Sequence, residues 1–348
     1  MKRMKQGARD MHHGDGHDDN GRPVPAHAMD LPDAAGKATV GKRSYRGPAI
    51  IVFALIAIVA LALVAILLPR LSNPHAPDLT SAKASASTQP RQSATTDDQD
   101  RSDSVATLYL HGYNGGKVST DSMIEYAEKH EDATKVLTVT ISSQGDVKLT
   151  GTWPKHTKRP LIQVLFEDNT NVDYGVTSEW VHSLIVTLQQ RYHIRRYNTV
   201  AHSMGNLVMM YYEMQYGQDT SLPKLEKQVN IAGNFDGIVG VDDSPNMNTI
   251  QADGSPTYRN QHFNYLLAHK NNYPDGVEVL NIFGNLDDGT NSDNNISTAS
   301  ARSLNYILKG KAASYREIEV HGKMGQHSKL HENPKVSDEI DAFLWGRG

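Results

Sequence analysis

Thr199-Val-Ala-His-Ser-Met-Gly-Asn206 reads as a buried β-strand that ends at a serine held in a tight turn before a helix. The pattern small-x-Ser-x-Gly, with Ala201, Ser203 and Gly205 at its small and central positions, is that of a nucleophile elbow. Such a turn is strained, and larger side chains two before or two after the serine would collide where strand and helix pack closely. The flanks suit the pattern. Tyr197 to Ala201 has strand composition, and Asn206 to Tyr216 carries the apolar run Leu-Val-Met-Met-Tyr-Tyr expected of a helix. The bland alternative is a capping serine at an ordinary helix start.

Outward from this turn the chain changes character. Residues 49–68 are continuously apolar, and about 20 helical residues span the ~30 Å hydrocarbon core of a bilayer. A transmembrane helix is therefore expected there. Lys37, Lys42, Arg43 and Arg46 crowd its N-terminal flank against Arg70 on the other side, which predicts a cytoplasmic N-terminus and an outward-facing C-terminal part. Ala84-Ser-Ala86 resembles a cleavage site, but the apolar run is longer than a signal-peptide core, which favours an anchor. Residues 1–48, without apolar periodicity, read as a disordered cytoplasmic tail, and 69–104, rich in Ser, Thr, Asp and Pro, as a flexible stalk. The tail histidines His12, His13 and His17 read as solvated residues before metal ligands. Among 348 residues there is no cysteine, which excludes disulfides and thiolate metal sites, and a net charge of -4 offers no nucleic-acid footprint.

Residues 105–348 alternate short β-branched runs with helical stretches, the signature of an α/β domain whose mostly parallel sheet carries helices on both faces. Strands are predicted at Thr107–Leu110, Leu161–Phe166, Tyr197–Ala201, Val229–Ala232, Val277–Phe283 and Tyr315–Val320. An edge hairpin is predicted from Val136–Ile141 and Val147–Thr152. Helices are expected at Ser122–His130, Ser178–Tyr192, Asn206–Tyr216, Phe263–His269, Ala299–Leu308 and Pro334–Leu344.

A serine hydroxyl is a poor nucleophile at neutral pH, so it needs an imidazole base, and that base needs a carboxylate to hold its tautomer. The required chain order, serine then acid then histidine, each after a strand, is present. His321, His327 and His331 follow the last strand. His327 is the expected base, because Asn333-Pro334 marks the start of the final helix and leaves His327 in the loop with reach, whereas His331 crowds the cap. Asp287, Asp288 and Asp293 compete for the acid, and spacing leaves the three open. Clustered Asp and Asn oxygens in that loop could coordinate calcium, but their spacing does not match an EF-hand, so no metal and no cofactor is expected. The amide of Met204 and one from His111-Gly-Tyr113, expected from Tyr113, would hold an oxyanion, with Gly112, Gly115 and Gly116 supplying unusual backbone angles. A phosphate-cradling role for the glycine loop lacks the Lys-Ser/Thr ending. Residues 234–262 form a candidate lid rich in Asp, Asn and Gly, which favours short or polar acyl substrates over long lipids.

Four segments carry a resemblance to the α/β-hydrolase superfamily, and within it to a family of exported or cell-surface hydrolases of Gram-positive bacteria. They are Leu110-His-Gly-Tyr-Asn-Gly-Gly116, Ala201-His-Ser-Met-Gly-Asn206, Ser292-Asp-Asn-Asn-Ile-Ser297 and Gln326-His-Ser-Lys-Leu-His-Glu-Asn-Pro-Lys-Val336. The chain is also similar to small bacterial lipases with an Ala-His-Ser-Met-Gly elbow, in which a histidine, an apolar residue three later and a valine nine later open the last helix. His327, Leu330 and Val336 keep that spacing. The resemblance implies the α/β-hydrolase fold and a Ser203–His327–Asp293 triad, with Asp293 matched to a Ser-Asp-Gly-x-Val-Pro pattern from which Asn294 and Ser297 depart. It implies an ester or related acyl substrate, small or lipid-like. The remaining alternatives are a peptidase or amidase, or a surface binding protein that keeps the fold without turnover.

Overall fold

The strand that leads into the serine turn lies near the middle of an eight-stranded sheet. In a computed structural model of the protein, residues 101–346 are described. The sheet is built from β1 (Val105–Leu110), β2 (Ala133–Ile141), β3 (Val147–Gly151), β4 (Arg159–Phe166), β5 (Arg196–His202), β6 (Lys224–Ile231), β7 (Glu278–Asn285) and β8 (Ser314–His321). Their spatial order is β3-β2-β4-β1-β5-β6-β7-β8. All neighbours pair in parallel except β2 and β3, the edge hairpin the sequence predicts.

Helices fill the crossovers: α1 (Val118–His130), α2 (Tyr174–Tyr192), α3 (Met204–Tyr216), α4 (Gln261–His269), α5 (Thr298–Leu308), the single turn α6 (His327–Leu330) and α7 (Pro334–Trp345). Because side chains alternate along a strand, β1 sends Leu108 and Leu110 to one face and Tyr109 to the other. The first face packs on Leu184, Leu207 and Leu304 of α2, α3 and α5. The second packs on Met123, Val336 and Ile340 of α1 and α7. Both faces are thus covered, which explains why the central strands read as unbroken apolar runs.

The strand order makes the site. From β1 the chain winds first to one side, through β2 to β4, and then returns to the other side with β5 to β8. Loops leaving β1 and β5 therefore diverge and open a crevice at the carboxyl ends of these strands, the usual ligand position in open α/β sheets. Leu110 of β1 pairs with Ala201 of β5. As a result the loop from His111 and the turn at Ser203 emerge side by side.

Several elements begin earlier than their apolar runs suggest. Asp173, whose side chain accepts from the amide of Val176, starts α2 ahead of Ser178. The polar half of β6, Lys224 to Gln228, is in the ladder because β5 lies beside it. The final helix starts as expected, with Asn333 capping the amide of Lys335 and proline in the first turn. The tail, the apolar run 49–68 and the stalk up to residue 100 lie outside the described residues, as do the tail histidines. Among the described residues no helix is long and apolar enough to cross a membrane.

Candidate active site

Ser203 has φ 52 and ψ -123, a conformation nearly closed to residues with a side chain, and it makes no capping hydrogen bond to α3. A helix-capping role is thereby excluded. The turn survives because its neighbours are small: a Cβ on Gly205 would lie 2.7 Å from the carbonyl oxygen of His111. The main chain is pinned as well, since the Ser203 amide donates to the Ile231 carbonyl at 2.9 Å.

The Ser203 Oγ lies 3.0 Å from Nε2 of His327. On the other side of that ring, Nδ1 lies 2.8 Å from Oδ2 of Asp293. The carboxylate only accepts, so the ring proton sits on Nδ1 and the Nε2 lone pair faces the serine hydroxyl. Both residues are buried, His327 at 6% exposure and Asp293 at 1%. Asp293 is held rigidly: its Oδ1 accepts from the amides of Asn295 and Ile296 at 2.9 and 2.7 Å, and its carbonyl accepts the His327 amide at 2.9 Å. The loop that carries His327 is braced by Gln326, whose side chain accepts from the amides of Ser328 and Lys329.

The competing candidates fall elsewhere. Asp287 pairs with exposed His321 at 2.7 Å, and that hydrogen bond raises the histidine's pKa. Asp288 accepts from Thr290 at the surface. His331 is buried, its ring edge-on to His202 at 4.7 Å, and burial lowers its pKa.

Tyr113 and Met204 both line a cleft of about 650 Å³ over Ser203, together with Tyr174, Ile238, Val241, Ile296 and His327. No loop carbonyl among the described residues accepts from either amide. The expectation about the glycines needs correction, because none of Gly112, Gly115 and Gly116 is among the residues with positive φ. Space is the reason instead for two of them. A Cβ on Gly112 would come within 2.8 Å of the Ser203 Cβ, and one on Gly115 within 2.8 Å of the Gly112 carbonyl oxygen. Nothing in the structure requires glycine at Gly116.

His111, quoted in the glycine loop but given no role by the sequence, proves to be its brace. The buried ring accepts the Phe166 amide on Nε2 at 3.1 Å and so donates from Nδ1 to the Gly112 carbonyl at 2.8 Å. Burial lowers its pKa and keeps it in this neutral form. Asn169 adds two bonds to the same loop, to Gly115 and Asn114. These partners come from the end of β4 and the loop that follows it, and no local pattern foretells them.

The candidate lid, residues 234–262, forms one wall of the cleft through Asn234, Ile238 and Val241. It is fastened to the loop that carries Asp293. The Val239 amide donates to the Asn295 carbonyl at 2.8 Å, and Ser297 Oγ donates to Asp243 at 2.6 Å. Asp236 ties its two ends, accepting from the Asn260 amide at 2.7 Å and from Asn248 at 2.8 Å. Among the described residues no group of three or more histidines and carboxylates is arranged to hold a metal ion.

Comparison with known proteins agrees with this architecture. Residues 94–347 match the sequence model of a family described as "Alpha/beta hydrolase of unknown function (DUF915)". The crystal structure of a Listeria innocua gene product is similar at TM-score 0.65 and 27% sequence identity, over 70% of this chain and 95% of that one. A protein of Lactobacillus plantarum, named as a candidate cell surface hydrolase, is similar at TM-score 0.59 and 20% identity, over 70% of this chain and 93% of its own. No curated protein matches the chain significantly.

Proposed function

The chain belongs to this family of α/β hydrolases, and from that premise we propose that it is a membrane-anchored, outward-facing serine hydrolase of esters or related acyl compounds. One observation carries the proposal: a serine in a strained turn on the floor of a cleft, within hydrogen-bond distance of an imidazole whose other nitrogen faces a buried carboxylate.

In this mechanism Ser203 Oγ attacks the acyl carbon while its proton passes to Nε2 of His327. Asp293 keeps the ring oriented and stabilises its cation. The tetrahedral oxyanion is held by the amides of Tyr113 and Met204, each worth on the order of a hundredfold in rate. Collapse expels the alcohol, which takes the proton from Nε2 and leaves an acyl group on Ser203. Water then attacks with His327 again as base, releasing the acid and restoring the serine. Ile238, Val241, Ile296 and Met204 beside the serine suit a short aliphatic or aromatic acyl group.

The test uses the full-length protein in detergent. Wild type should label with a fluorophosphonate and hydrolyse a short-chain nitrophenyl ester, and Ser203→Ala should do neither. Equal rates for the two proteins would refute the nucleophile. A protein that neither labels nor turns over any ester or amide would instead be a binding protein on a hydrolase fold.

Anchoring rests on the apolar run 49–68 and its basic flank. Because the chain lacks cysteine, a single cysteine placed in the stalk reports its own side of the membrane. A membrane-impermeant maleimide should label it in intact cells; protection until lysis would reverse the orientation.

A further inference from the structure

We infer that His202, the residue immediately before Ser203, is a positioning residue that joins three loops of the site: the serine turn, the oxyanion loop and the loop of the base. The assignment rests on Ser203 being the nucleophile and His327 its base.

His202 ends β5 with its ring 5% exposed. Its Nε2–H donates to the main-chain carbonyl of His327 at 3.1 Å. The two rings lie 4.8 Å apart, and the ring of His331 stands edge-on at 4.7 Å. At the opposite edge, Nδ1 abuts Gly112, where an added Cβ would lie 3.1 Å away. One imidazole therefore touches the loop after β1 and the loop after β8 while being covalently fixed to the nucleophile.

The main chain of His327 has two anchors. Its amide donates to the carbonyl of Asp293, and its carbonyl accepts from His202. The acid loop and the serine turn thus hold the base from opposite ends. Removing the second anchor loosens the main chain that carries the base and frees it to shift relative to Ser203 Oγ.

The role needs a flat ring that fits beneath Gly112 and a donor at its far edge. The titratable groups facing His202 are His111, His327 and His331, and burial together with these neighbours holds its pKa well below the ordinary value. It stays neutral, with its single proton committed to the His327 carbonyl. A displacement of about 1 Å at a catalytic group costs on the order of a hundredfold in rate, which sets the scale of the effect.

Three variants of the full-length protein in detergent test the inference, with Ser203→Ala as reference. His202→Phe keeps the ring and removes the donor. His202→Asn keeps polarity but is too short to reach the carbonyl. His202→Gln retains a donor at comparable reach. The first two should lower kcat roughly 10- to 100-fold with KM nearly unchanged, and should slow fluorophosphonate labelling by the same factor. The glutamine variant should recover most of both.

Should His202→Phe fail to fold, as seen in its melting curve, the Asn and Gln pair decides. Wild-type kcat and labelling in the Phe or Asn variant, with Ser203→Ala inert, overturns the inference and leaves the nucleophile standing. Equal impairment in all three variants reduces His202 to packing and also overturns it. Wild-type turnover in Ser203→Ala removes the nucleophile itself.

Discussion

Replacing Asp293 by asparagine separates the proposed triad acid from its two rivals, and its effect follows from the bonds the carboxylate makes. Oδ1 accepts from two backbone amides, of Asn295 and Ile296, so the new amide must turn its oxygen toward them. Its NH2 group then occupies the place of Oδ2 and points at Nδ1 of His327, 2.8 Å away. A donor facing Nδ1 forces the ring into the other tautomer, with its proton on Nε2 and directed at Ser203 Oγ. The base can no longer accept the serine proton. Loss of the correct tautomer costs about ten-thousand-fold in kcat, equivalent to about 5.5 kcal/mol of barrier. Stability should barely change, because both backbone bonds and a hydrogen bond to the ring persist. The assay is ester turnover and fluorophosphonate labelling beside a thermal melt, with Asp287→Asn as control. Among the described residues the Asp287 carboxylate pairs with exposed His321, away from the serine, so the control should keep wild-type activity. Retention of more than about a tenth of wild-type kcat by Asp293→Asn would refute the tautomer reasoning. A collapse in Asp287→Asn would move the acid to that residue.

Gly112→Ala should fold yet lose about a hundredfold or more in kcat, because the new methyl group meets the Ser203 Cβ at 2.8 Å and displaces the oxyanion loop; unchanged kcat would show that the loop plays no part. Gly284→Ala should instead unfold the site end of the sheet. A Cβ there would overlap the backbone carbonyl of Gly325, which cannot swing aside as a side chain would, and a melting temperature equal to wild type would contradict the packing. Glu213, buried on α3 and accepting from Tyr197 Oη, has its pKa pushed up to about 8 by burial. The native state therefore holds a proton that the unfolded chain releases near its ordinary value of 4.5. Its contribution is full below that value and falls as pH rises toward 8, by at most about 3 kcal/mol at pH 7. Glu213→Gln should flatten this part of the stability profile between about pH 5 and 8, leaving the share of Asp341 and Asp236, raised to about 8 and about 6. An unaltered slope in paired thermal melts would count against a protonated Glu213.

What the sequence discloses and what it hides divide along one physical line. The serine turn, the edge hairpin and the Asn333-Pro334 helix start are legible because each is decided by residues within a few positions of one another. The alternation of apolar runs likewise reports a sheet covered on both faces. The polar half of β6 is illegible because its strand character comes from β5 alongside it. Gly112 draws notice in the sequence for a conformational freedom it does not use. The requirement there is room for the serine turn, distant along the chain and adjacent in space through the Leu110 and Ala201 pairing.

The choice among three aspartates shows the same division at the site itself. Spacing cannot rank Asp287, Asp288 and Asp293, because what distinguishes them is the path of the loop. Asp293 is turned inward by bonds to Asn295 and Ile296, and that loop is in turn fastened to the cleft wall at Asn295 and Ser297. The wall is closed on itself by Asp236. In the proposed mechanism residues 234–262 would therefore act on the chemistry through the acid as well as by lining the cleft. Their richness in Asp and Asn, which on sequence alone marks a polar cover, is the hydrogen-bonding inventory that an irregular segment needs to stay in place without a helix or strand. A loosened wall would thus be felt in kcat, through the carboxylate behind His327, before it was felt in substrate binding.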